Sequence, residues 1–241
     1  LEATDPGGHS SRPRADNAIS RMARTLVALD GHRFSIDLSE TTRAFFERWR
    51  NVAPQEDREL LGGLLAGIPD EEISAELDKH PYYNAIARTT CIATQVDGGH
   101  AENAIPQRVT AVVNCRVLPQ FDNASVLDTL KAMADPNGIS IEQLYPYRPS
   151  PPSPLRPDVV DPISDLAEEF WPGILVVPQM STGATDAIFV RNVGIPVYGV
   201  AAIAAEADDA RAHGQDERIG IDAFEVATEY WYRLAKAVSQ P

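Results

Sequence analysis

Between Pro146 and Pro157 every second residue, on average, is a proline: Pro146, Pro149, Pro151, Pro152, Pro154 and Pro157. Each fixes its own φ and removes a backbone donor, so neither a helix nor a central strand runs through this stretch. The chain therefore reads as two folded units, residues 1–148 and 158–241, joined by an extended connection over 149–157.

The first unit has a recoverable element order. Residues 1–4 read as the end of a strand. A helix over 16–29 places Ile19, Met22, Ala23, Leu26 and Val27 on one face. Residues 90–96 and 109–117 are β-branched and alternating, as strands are. A helix over 125–134 follows, capped near Asn123 or Ala124. Asn137-Gly138 then turns the chain into a last strand over 139–144. This β-α-β-β-α-β order is that of a ferredoxin-like two-layer sandwich, an α+β arrangement. An insertion over 39–83 carries helices at 41–51, 55–65 and 70–79, with Phe45, Phe46 and Trp49 in the first. Packing on the sandwich and lining a cleft are both open to it.

The second unit alternates helices (161–171, 186–193, 222–238) with short buried strands (174–177, 195–200). That is the order of an α/β domain with a parallel sheet. Two short strands make a poor sheet by themselves, so the unit reads as a piece of something larger.

A net charge of −14 over 241 residues repels phosphate backbones, which argues against nucleic acid as a partner. No apolar run reaches the ~18 residues of a membrane span, and the compartment, cytoplasmic or exported, stays open. Cys91 and Cys115 are too few for a disulfide scaffold and form no Cys-x-x-Cys pair. Both lie in apolar runs and read as small buried hydrophobes.

Several loops carry chemistry. In Gly7-Gly8-His9-Ser10-Ser11-Arg12-Pro13, paired glycines permit a tight turn that leaves an imidazole projecting. Such a group donates to a developing oxyanion or is simply solvated. Asn103-Ala104-Ile105-Pro106 lies in the turn between the two central strands. Arg116, on the second of them, needs an anion or water, and a guanidinium suits a substrate carboxylate. Ser181-Thr182-Gly183-Ala184-Thr185-Asp186 precedes a helix, either as a ligand-contacting loop or as a plain cap. His213, in His-Gly-Gln-Asp-Glu-Arg, is a candidate zinc ligand, although one His makes no metal site. Glu71-Glu72 and Glu168-Glu169 suit helix surfaces and are read as structural.

In their order along the chain, these motifs resemble the M20 metallopeptidase family, in its carboxypeptidase and N-acyl-amino-acid hydrolase branch. The resemblance spans His9 to Arg218. It implies that residues 1–148 are the family's lid, or dimerisation, domain, and that 158–241 close a zinc-binding α/β catalytic domain. It further implies that His9 reaches into a partner subunit's site and stabilises the tetrahedral intermediate. Asn103 and Arg116 then hold the substrate's carboxylate or nearby polar groups, Gly183 and Thr185 contact substrate, and His213 is the last ligand of a two-zinc centre. The expected activity is hydrolysis of an amide bond in a dipeptide or N-acyl-amino acid by a homodimer. The family's His-x-Asp motif and further acidic ligands are missing, since none of the five histidines is followed by x-Asp. The chain is thus expected to begin at the lid and to be inactive alone. A dimerisation module without catalysis, or a binding protein of the same fold without metals, are the alternatives.

Overall fold

A computed structural model describes residues 1–68, 70–204 and 214–239. Strand β1 (Glu2–Thr4) leads through the two-residue β2 (Gly8–His9) into helix α1 (Ala18–Gly31). Asn17 caps α1 by accepting from the Ser20 N–H. Four helices follow: α2 (Glu40–Trp49), α3 (Gln55–Ala66), α4 (Asp70–Leu77) and α5 (Pro81–Ala87). Ser39 caps α2, and Gly67 ends α3 in the left-handed conformation at φ 68°, where a side chain would be strained. Strand β3 (Thr90–Gly98), the short β4 (Ala104–Ile105) and β5 (Arg108–Arg116) complete the sheets, and α6 (Asn123–Ala134) returns over them. The cap of α6 is Asp122, one residue earlier than expected, accepting from Ala124 N.

The main sheet has the order β1-β5-β3, all antiparallel. Ser140 adds a single bridge outside β1, exchanging two backbone hydrogen bonds of 2.9 Å with Glu2. Counting that bridge as the fourth position, the order is that of a ferredoxin-like sandwich, as the element pattern implies. The expected strand over 139–144 is reduced to this single bridge. The core between sheet and helices contains Ala3, Ala18, Met22, Val109, Ala111, Ala134 and Ile139.

Helix α1 is rotated from the face its apolar residues suggested. Ala18, Met22, Thr25 and Leu29 are buried, whereas Ile19 is 50% and Val27 73% exposed. Thr25 tolerates burial because its hydroxyl donates to Arg21 O at 3.3 Å and accepts from Asn137 Nδ2 at 3.0 Å, leaving no polar atom stranded. The insertion builds its own core around Phe45, Phe46, Leu60, Leu61, Leu64 and Ile86. Burying each such large side chain contributes about 1.5–3 kcal/mol.

In the second unit, α7 (Pro157–Phe170) packs on α9 (Ile221–Ser239), with the short α8 (Ala187–Arg191) between them in sequence. Pro157 starts α7 where its missing N–H costs nothing. The strands expected at 174–177 and 195–200 are not formed. Their backbone is met instead by single side chains. Arg48 Nη1 donates to Val176 O at 2.9 Å, and Ser153 Oγ both accepts from Val197 N and donates to Val197 O. Among the described residues no neighbouring strand supplies a ladder, and Ile174 and Ile195 remain more than half exposed.

The two cysteines are not separate buried hydrophobes. Cys91 and Cys115 face one another in the β3–β5 register and are joined by a disulfide. Sequence separation hid this, since only the register makes them neighbours.

Candidate active site

The loop before His9 is fastened at several points. Asp5 accepts from the Gly7 N–H at 2.8 Å and forms an ion pair with Arg14, and Arg14 also donates to Gly7 O. Gly7 sits at φ 75°, and a Cβ there would lie 2.8 Å from Gln107 Cγ and 3.2 Å from Ile105 O. Only glycine fits both the conformation and the space. The turn lets β2 pair with β4, setting Gly8 opposite Ile105 and His9 opposite Ala104. Ser10 N then donates to Asn103 O at 2.8 Å.

This small ladder brings together two residues that are 94 apart in sequence: His9 Nε2 lies 3.5 Å from Asn103 Nδ2. On the other edge of the ring, His9 Nδ1 accepts from the Ser11 N–H at 3.1 Å and lies 2.8 Å from Ser11 Oγ. An Nδ1 that accepts a backbone N–H carries no proton in the neutral ring, so the proton sits on Nε2. The Nε2 edge of His9 is thereby a donor, as is Asn103 Nδ2 beside it at 3.5 Å, so the two groups present donors side by side and are not hydrogen-bonded to each other. Both residues are solvent-exposed.

Arg116 lies at the opposite end of β5, paired in register with Thr90. It shares the open face of the sheet with Asn114 and is exposed. Among the described residues its guanidinium has no hydrogen-bond or ion-pair partner. Eight residues separate Arg108, at the His9 end of the strand, from Arg116. At ~3.3 Å per residue that is about 26 Å.

Gly183 and Thr185 lie on the exposed loop before α8. Gly183 N donates to Ser181 Oγ at 3.2 Å, and Thr185 Oγ1 accepts from Ala187 N at 3.0 Å. These are capping contacts, and none reaches His9, Asn103 or Arg116. His213 lies outside the described residues.

A model of the peptidase dimerisation domain of the M20 family matches residues 1–141. The chain belongs to the M20 peptidase family. It is 27% identical over 238 residues to "Probable carboxypeptidase S-like 2" of Dictyostelium discoideum, covering 98% of this chain and 45% of that protein. It is 26% identical over 239 residues to the human N-fatty-acyl-amino acid synthase/hydrolase PM20D1, covering 97% and 47%. The M20 chain thus spans about half the length of the curated relatives it matches. Among solved structures, the M20 family metallo-carboxypeptidase Sso-CP2 from Sulfolobus solfataricus superposes with a TM-score of 0.58 at 22% identity, covering 99% of this chain and 56% of that one. The di-peptidase Dug1p from Saccharomyces cerevisiae superposes with a TM-score of 0.55 at 13% identity, covering 100% and 53%. These likenesses establish the fold.

Among the described residues of the M20 chain, no three His, Cys, Asp or Glu side chains converge on a point that would hold a metal ion. The described part therefore does not fit a metal centre, and no chemical step is derived through one. Among the same residues, no helix is long and apolar enough to cross a membrane. The contacts that sequence reasoning missed are those of Asp5 and Arg14, which hold the His9 loop. Asp5-Pro6-Gly7 is a turn signature that points to that loop.

Proposed function

We propose that this chain is the lid (1–148), the connecting segment (149–157) and the closing part of the catalytic domain (158–241) of a homodimeric amidohydrolase. Its substrate is a dipeptide or N-acyl-amino acid, in which an amide bond lies close to a free carboxylate. The observation that carries the reading is the division of polar groups along β5. His9 and Asn103 lie beyond the Arg108 end of β5, and Arg116, without a hydrogen-bond or ion-pair partner among the described residues, ends the strand about 26 Å from Arg108.

One small substrate cannot touch both ends of the same strand. In a two-fold dimer, the His9 end of one lid meets the Arg116 end of the other protomer's site. Arg116 then grips the substrate carboxylate with two parallel N–H donors. His9 Nε2–H, supplied by the partner, donates to the carbonyl oxygen as it gains charge, and Asn103 orients the same group. Gly183 and Thr185 are assigned to the substrate loop. His213 is assigned to a two-zinc site whose other donors lie outside the described residues, which is why the 241-residue chain by itself is proposed to be inactive.

Dimerisation has its own support. Strand β3 is an open edge of the sheet, and Ile92 and Val96 on it are 67% and 60% exposed. Beside it, α1 presents Ile19, Ala23 and Val27 to solvent. An unpaired edge flanked by an apolar helix stripe is a surface that a second copy extends. In the C-terminal unit, Phe224, Tyr232 and Ile221 of α9 are each more than half exposed, consistent with a larger catalytic domain packing over them.

The test uses the full-length enzyme. His9→Ala should lower turnover of N-acyl-amino acids by about 10²–10³-fold while metal content stays at the wild-type level. Equal loss of metal and turnover would contradict the oxyanion role.

A further inference from the structure

The helical insertion reaches across to the second unit, at the stretch that leads into residues 181–186. Arg48 Nη1, on α2, donates to Val176 O at 2.9 Å over a sequence separation of 128. Further along, Gln179 Nε2 donates at 2.6 Å to the Oη of Tyr82, in the first turn of α5. Val177 and Met180 pack against the core of the insertion, while Val176 packs against the core of α7 and α9. Neighbouring residues of an extended chain point to opposite sides, so the stretch is held between the two cores.

The backbone of this stretch supplies no hold of its own. Among the described residues, positions 175–184 make no hydrogen bond to other backbone, and every residue from Ser181 to Asp186 is exposed. Segments with so few internal bonds open at low cost, so the place of the loop depends on the side chains that anchor its two ends. At one end Thr185 caps α8. At the other the anchor is the insertion.

We propose that the insertion is a brace for the 181–186 loop, with Arg48 and Tyr82 as positioning residues that fix where the loop stands against substrate. The inference rests on the assignment of Gly183 and Thr185 to the substrate loop. A brace that pre-places a binding loop spares its ordering cost, so its loss shows in KM and not in kcat. In the full-length enzyme, Arg48→Met keeps the apolar stem and removes the donor. Arg48 is only half-buried, so KM for an N-acyl-amino acid should rise by about threefold to tenfold, with kcat changed less than about twofold. Proteinase K cleavage within 181–186 should quicken by a similar factor, because cleavage follows the population of the open loop. Arg48→Lys, whose ammonium also donates to a carbonyl, should restore most of both. Gln179→Ala, at an exposed position, should move both the same way by about twofold. Cleavage unchanged in both Arg48→Met and Gln179→Ala would overturn the brace, as would a fall in kcat at constant KM, the pattern of lost folded enzyme. Thr185→Ala examines the substrate assignment separately and should itself raise KM. Faster cleavage with unchanged KM in Arg48→Met, beside a raised KM in Thr185→Ala, would overturn the positioning role. An unchanged KM in Thr185→Ala would overturn the substrate assignment, and faster cleavage in Arg48→Met would then still uphold the brace.

Discussion

Two variants that are each nearly silent should together regain a defined fraction of activity. His9→Ala removes the proposed oxyanion donor, at a cost of about 10²–10³ in turnover. Arg116→Ala removes two charge-assisted hydrogen bonds, each worth about 1.5–3 kcal/mol, and so at least about 10² in kcat/KM. In the proposed arrangement, in which β5 spans about 26 Å between its ends, a site takes His9 from one protomer and Arg116 from the other. In a hybrid dimer, one site then receives both wild-type groups and the other receives neither. Random exchange makes about half the dimers hybrid, with one good site in two, so the mixture should show about a quarter of wild-type activity. The assay is hydrolysis of an N-acyl-amino acid by full-length variants carrying different tags, co-expressed so that subunits mix, with the hybrid isolated through both tags. Activity in the mixture no greater than the average of the two parents would mean that His9 and Arg116 serve one site within a protomer, and the strand-length argument would be wrong.

Tyr83→Phe strips the phenolic oxygen that accepts from Trp49 and donates to the buried Asp57. It should cost about 2–4 kcal/mol in chemical denaturation, and a loss below about 0.5 kcal/mol would show that water replaces that oxygen freely. Burial pushes the Tyr82, Tyr83 and Tyr230 phenols above their ordinary value. Their contribution to stability is complete below the unfolded phenol pKa of about 10 and is lost as pH rises through the higher folded values. Melting temperature should therefore fall from pH 9 to pH 11, and a flat profile would refute this. The Cys91–Cys115 bond closes a loop of sequence separation 24, so reduction or a Cys91→Ser, Cys115→Ser double variant should cost about 3 kcal/mol. A urea midpoint unmoved by reductant would show the loop to be held without it.

The sandwich was legible because its strands and helices alternate in pattern over long stretches, as in 90–96 and 109–117. What escaped was whatever depends on a partner. Residues 139–144, 174–177 and 195–200 have the composition of strands, but composition does not supply a ladder, and without one they run as extended chain. The face of α1 was misjudged because Thr25 ranks as polar, although a hydroxyl satisfied by Arg21 and Asn137 buries without penalty. The pairing of Cys91 with Cys115 follows from register, which periodicity does not fix. Of the proposed site residues, His9, Asn103 and Arg116 each stood out through neighbours of unusual type. That the first two meet while the third stands a strand's length away is a property of the β2–β4 ladder, and no local signal carries it.

The ladder between β3 and β5 slips by one position between Ala93 and Gln95. Before the slip, Ile92 faces the same side as Asn114; after it, Val96 faces the same side as Ala111. A border interrupted in this way gives an incoming strand two brief stretches of matching pleat in place of one continuous template. Such a border suits closure with a single symmetric mate and discourages the stacking of copy upon copy into fibres.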